Sequence, residues 1–137
     1  MNKMFALLAV LAASLSLSAC SKPPYENLDN TQLKTLVAQG VPLYDVRRPD
    51  EWKQTGVVEG SRLLTWVDGR GRVQPGFIES LAVEAPKDKP VAIICRTGNR
   101  TSQLARELME KHGYTKVYNV KDGITGWIAG GQPVERL

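Results

Sequence analysis

The sequence predicts an α/β fold, an open parallel sheet with helices on both faces, and three observations carry that expectation. Val91 to Ile94 is an unbroken apolar and β-branched run, as expected of a strand buried on both faces of a parallel sheet. Thr101 to His112 follows after a polar loop, with Leu104, Ala105, Leu108 and Met109 at helical spacing and Gly113 as the stop. Lys116 to Val120 is a second short strand, so strand, helix and strand form a βαβ unit whose crossover is right-handed.

The remaining elements extend that unit. Leu28 to Gln39 places Leu33, Leu36 and Val37 on one helical face, with Asp29 and Asn30 as candidate caps and Gly40 as the stop. Val41 to Val46 reads as a strand, and Pro49 to Gln54 as a short helix whose proline, Asp50 and Glu51 suit an N-terminus. Gly56 to Leu64 reads as a short strand or strand-like connection. Thr65 to Gly76, with Asp68, Gly69 and Gly71 as turn residues, reads as an arginine-bearing loop or hairpin. Phe77 to Val83 is a helix ended by Pro86, and Gly123 to Ile128 a short terminal helix packed by Trp127. No repeat appears at a solenoid period.

Composition narrows the function classes. The 137 residues are 42% apolar, 23% charged and 7% aromatic, which suits one globular domain. Eighteen basic against fourteen acidic residues give a net +4, too mild and too dispersed for a nucleic-acid footprint. One histidine and two cysteines imply no metal centre, and no cofactor is expected.

Residues 1–19 read as a leader: Lys3 gives a positive start, and an apolar run from Met4 to Leu17 follows that is short for a bilayer span. Its end, Leu17, Ser18, Ala19, Cys20, resembles the bacterial lipobox, which implies cleavage before Cys20 and lipidation of its thiol. Acyl chains would then hold the domain at a membrane through the anchor alone, each buried methylene adding ~0.8 kcal/mol. Ser21 after the cysteine, rather than Asp, favours the outer membrane by the same resemblance, so the expected location is the periplasmic face of a membrane. Residues 20–27 read as lipidated N-terminus and tether, and 28–137 as the domain. Lipidation of Cys20 leaves Cys95 as one free thiol, with no intramolecular disulfide and a monomer as the expectation.

Cys95 stands at the carboxyl end of the buried strand, the edge where open α/β sheets bind ligands. Gly98 and Asn99 tolerate the backbone angles that turn successive N–H groups inward as an anion-holding nest. The following helix N-terminus and the cations Arg96 and Arg100 add positive charge. All three terms favour thiolate over thiol. The competing reading is a strand-terminal cysteine that merely packs.

Cys95-Arg96-Thr97-Gly98-Asn99-Arg100-Thr101 resembles the active-site loop of the rhodanese family in its single-domain sulfurtransferase form. Asp45 to Trp52 is similar to that family's second signature, an Asp-x-Arg followed by an acidic-aromatic pair, and Gly123, Ile124 and Trp127 match its closing signature. The resemblance implies a sulfur relay. Cys95 takes a sulfane sulfur from thiosulfate or another small anionic donor, and passes it to cyanide, a thiol or a thioredoxin-like acceptor. It also implies that Arg100 orients the anion, with Arg96, Thr97, Gly98, Asn99 and Thr101 lining the cradle, although Thr101 is equally readable as the helix cap. Arg47, paired with a carboxylate such as Glu51, and Asp45 are expected to support the loop from behind.

The chain departs from the family at Gly56-Val57-Val58-Glu59-Gly60-Ser61, where Gly-His-Ile-Pro-Gly-Ala is usual, at Asp122, and in the longer Thr65 to Pro75 region. Relatives with a phosphatase activity place an arginine six positions after the cysteine. Here it is five, a tighter cradle that favours sulfur transfer over phosphoryl chemistry. A binding or regulatory module that keeps the fold without turnover is the alternative.

Overall fold

The computed structural model describes residues 21–137, and the leader and Cys20 readings lie outside that range. Five parallel strands form one sheet in the order β1-β5-β4-β2-β3: β1 Glu26–Leu28, β2 Leu43–Asp45, β3 Arg62–Leu63, β4 Val91–Ile94 and β5 Val117–Val120. The helices are α1 Asn30–Ala38, α2 Pro49–Thr55, α3 Phe77–Glu84, α4 Asn99–Lys111 and α5 Gly123–Ala129.

Strand alternation divides the core into two layers. Val91, Ile93 and Cys95 face Phe77 and Leu81 of α3 and Leu104 and Leu108 of α4. Ala92 and Ile94 face the opposite layer, with Leu33 of α1 and Ile124 and Trp127 of α5. Helices therefore cover both faces. The chain winds outward from β2 to β3, then returns to the centre for β4 and continues away through β5. The carboxyl ends of β2 and β4 thus meet where the winding direction reverses, the crevice at which such sheets bind ligands.

Most expected elements are present, with informative differences at their ends. Asp29 caps α1 in a reciprocal capping box with Gln32, an arrangement contributing about 1 kcal/mol. Glu26 and Asn27, read from sequence as the end of the tether, instead pair with Tyr118 and Asn119 as an edge strand. Only Arg62 and Leu63 of the expected Gly56–Leu64 strand pair with β2, whereas Val57 bridges Glu135 near the C-terminus. Thr65 to Gly76 closes a small hairpin through the Val67–Val73 bridge, tied by Asp68, which accepts from the Arg70 and Arg72 amides and the Arg72 guanidinium. Among the described residues no helix is long and apolar enough to cross a membrane.

Candidate active site

β4 ends at Ile94, and Cys95 follows with 1% exposure, its sulfur at the floor of the next loop. That loop turns on Gly98, which holds φ +91° and serves as N-cap of α4. The Gly98 N–H donates to Cys95 Sγ at 3.2 Å, and the Thr101 hydroxyl lies 3.2 Å from the same sulfur. When the sulfur is ionised, that hydroxyl must be the donor. α4 thus starts two residues before the expected Thr101. The cap reading of Thr101 gives way to a buried hydroxyl in the first turn, aimed at the sulfur.

The carbonyls of the loop are held out of the way. Ile124 and Thr125, in the first turn of α5, donate their backbone N–H groups to the carbonyls of Cys95 and Arg96 at 2.9 and 3.0 Å. Gly123, at φ +60°, lies against those same carbonyls, and a side chain there would collide with them. Gly98 is constrained from both directions: its φ favours glycine, and a Cβ would strike the Lys121 carbonyl. Its own carbonyl accepts from Asn119 Nδ2 at 3.4 Å, and the same amide donates to Asn27 Oδ1 of β1 at 3.0 Å. With carbonyls turned outward and no side chain capping α4, the first-turn N–H groups of Asn99, Arg100 and Thr101 are available to an anion above the sulfur.

The charged residues are arranged differently from the sequence expectation. Arg47 does not pair with the Glu51 carboxylate. Its guanidinium donates to both carboxylate oxygens of Asp45, at 2.8 to 3.2 Å, and to Thr55 Oγ1 and the Gly56 carbonyl. Both partners are fully buried. Asp45 also accepts from Trp52 Nε1, so this cluster ties the end of β2 to α2 and makes no hydrogen bond to the cysteine loop.

Glu51 is instead the partner of Arg100, accepting from Nη2 at 2.6 Å and Nη1 at 2.9 Å, and it also accepts from the Arg48 backbone N–H. Arg100 is therefore held at the rim by a carboxylate rather than free to clamp an anion by itself. Burial disfavours the Glu51 carboxylate, but the Arg100 hydrogen bonds and the Arg48 amide outweigh it, lowering its pKa from 4.5 to about 2. The Arg100 pKa is raised by the same pair, opposed by burial.

Because the folded Glu51 is the stronger acid, its contribution to stability is complete above pH 4.5 and disappears as pH falls through about 2. We expect urea midpoints measured between those limits to fall more steeply for the wild type than for Glu51→Gln, the ionisation accounting for about 2 to 3 kcal/mol. Parallel pH profiles would refute this.

Of the other expected cradle residues, Arg96, Thr97 and Asn99 are exposed, while Gly98 is buried and donates its N–H to Cys95 Sγ. Trp66, which follows the Thr65 hydroxyl that donates to the Arg47 carbonyl, is buried. Sequence reading missed Asn119, although an asparagine within the otherwise apolar Val117–Val120 strand was a visible signal. It also missed Trp52 as a hydrogen-bond donor to Asp45.

A family model described as the rhodanese-like domain matches residues 29–130. The chain belongs to the rhodanese-like family. Among curated relatives of this rhodanese domain, a sulfurtransferase of Allochromatium vinosum is 31% identical over 78% of the chain and 92% of its own length. Thiosulfate sulfurtransferase 18 of Arabidopsis thaliana is 28% identical over 79% of the chain and 82% of its own. Among solved structures, Rv0390 from M. tuberculosis superposes with TM-score 0.69 at 28% identity, covering 82% of this chain and 99% of that one. These relatives support a sulfurtransferase type of function. At the departure from the usual rhodanese signature, Val57 is buried and its backbone exchanges two hydrogen bonds with that of Glu135.

Proposed function

We propose that this protein is a sulfurtransferase that carries a sulfane sulfur on Cys95, from thiosulfate or a persulfide donor to a thiol or cyanide acceptor. The Cys95 thiolate attacks the outer sulfur of thiosulfate, a Cys95–sulfur bond forms, the donor S–S bond breaks, and sulfite departs with the electron pair. A nucleophilic acceptor then attacks the outer sulfur of the persulfide and returns the electron pair to Sγ.

The observation that carries this reading is the placement of Sγ. It lies within hydrogen-bond reach of the Gly98 N–H and the Thr101 hydroxyl, beneath the uncapped first turn of α4. Sulfur anions are stabilised there by donors fixed in advance, without side-chain rearrangement during the reaction. The enclosed position of Cys95 also disfavours a disulfide between copies, in keeping with a monomer. The leader pattern in residues 1–20 supports the further proposal that the domain works as an exported lipoprotein at the periplasmic face of a membrane.

Intact-mass measurement of the domain after thiosulfate treatment tests the relay. The expected result is a gain of one sulfur atom, localised to Cys95 and discharged by cyanide or a dithiol. No adduct with either thiosulfate or a persulfide donor would overturn the proposal.

A further inference from the structure

The amino ends of the parallel strands lie opposite Cys95, and lysine dominates the exposed charge there. Loops 86–90 and 112–116, which lead into β4 and β5, are joined by the Thr115 N–H and hydroxyl, both donating to the Lys87 carbonyl. These loops carry Lys87, Lys89 and Lys116, with Lys111 beside them at the end of α4, and all four are exposed. β1 starts at the same end: Lys116 Nζ stands 3.9 Å from Glu26, and the exposed Lys22 lies shortly before Glu26 in the chain.

Most carboxylates at this end are already taken. Glu26, Glu84 and Glu110 pair with Lys116, Arg62 and Arg106, which leaves Asp88 against Lys22, Lys87, Lys89 and Lys111, none of which has an ion-pair partner among the described residues. At the Cys95 end Arg48, Arg72 and Arg100 are paired with carboxylates, and the exposed Arg70, Arg96 and Lys121 share that end with Asp29 and Asp122. The larger cationic excess is at the amino end. Val83, 83% exposed and more so than any other large apolar side chain described, stands there too, in the last turn of α3. Lysines around an exposed apolar residue suit a surface that rests on lipid headgroups.

The length of the tether narrows what this end can meet. Five peptide steps separate Cys20, the expected lipidation site, from Tyr25, a reach of at most ~18 Å, and Tyr25 packs against the α4 layer just before β1. Building on the lipoprotein reading, we propose that the lysine-bearing end of the domain docks on an anionic phospholipid surface, with Lys22, Lys87, Lys89 and Lys111 over the phosphates and Val83 at headgroup level. Each lysine so placed favours the bound pose by about fivefold. The tether stays slack in this pose, whereas laying the Cys95 end on the bilayer would need it drawn out along the domain. The Cys95 loop then opens away from the membrane, and its sulfur is exchanged with donors and acceptors dissolved in water rather than in the bilayer.

The test uses the full chain, purified with its anchor and reconstituted in phosphatidylcholine vesicles with or without an equal part of phosphatidylglycerol, its lysines mapped by acetylation and mass spectrometry. With phosphatidylglycerol, acetylation of Lys87, Lys89 and Lys111 is expected to fall by about fivefold and to recover in about 1 M salt, where the Debye length is ~3 Å. Lys121, at the Cys95 end, should stay unchanged. Lys87→Gln combined with Lys89→Gln should return Lys111 toward its rate on phosphatidylcholine alone. Protection of Lys121 equal to that of Lys111, or no difference between the two vesicle types for an acylated protein, would overturn the docking surface. A mature protein without acyl groups on Cys20 would instead remove the lipoprotein reading and this assignment with it.

Discussion

Cys95→Ser is expected to lower acceptor-dependent sulfur transfer by about a thousandfold or more, since an alcohol in this position neither ionises readily nor holds a transferable sulfur. The fold should survive. Serine places an oxygen where the Gly98 N–H and the Thr101 hydroxyl already converge, so the change trades a buried sulfur for a buried but satisfied hydroxyl, within about 1 kcal/mol. Paired measurements separate the two effects: turnover and sulfur labelling should vanish while the thermal midpoint moves by a few degrees only. Turnover retained at a wild-type level would show that the sulfur is carried elsewhere, and the relay through this residue would be wrong.

Arg47→Met is expected to produce the largest loss of stability, about 3 to 5 kcal/mol, although Arg47 stands outside the cysteine loop. Its guanidinium and the Asp45 carboxylate have no exposure to solvent, so removing the cation leaves a buried anion with only the Trp52 and backbone donors. The same substitution strips the Thr55 hydroxyl and the Gly56 carbonyl of a donor and loosens the junction between β2 and α2. Urea denaturation reads the effect directly. A second substitution, Asp45→Asn, should recover part of the loss because it removes the stranded charge. A loss below about 1 kcal/mol for the single variant would mean that the pair contributes little net stabilisation.

The parts of this molecule legible in the sequence are those governed by short-range pattern. Val91 to Ile94 was readable as a buried strand because four successive apolar residues have no exposed face to serve, and the position of Cys95 at its end follows from chain order. Asp29 was readable as a cap because its partner is three residues away. β1 was not, since Glu26 and Asn27 are exposed and an edge strand of three residues leaves almost no hydrophobic alternation. The start of α4 was misplaced because a left-handed glycine, rather than a hydroxyl or carboxylate side chain, occupies its N-cap. The charge partners were the least accessible. Arg47 turns onto Asp45, two positions earlier, rather than onto Glu51, and Arg100 finds Glu51 across forty-nine positions, a pairing that depends on β2 and β4 being neighbours in the sheet.

The grip of α5 on the Cys95 and Arg96 carbonyls gives the loop a division of labour. Peptide dipoles around the sulfur are oriented from behind, by a neighbouring helix, while the side chains at positions 96, 97 and 99 stand exposed on the solvent side of the loop. A protein built this way can be retuned toward new donors by altering those three positions, while the electrostatic environment of its nucleophile stays inherited from the main chain.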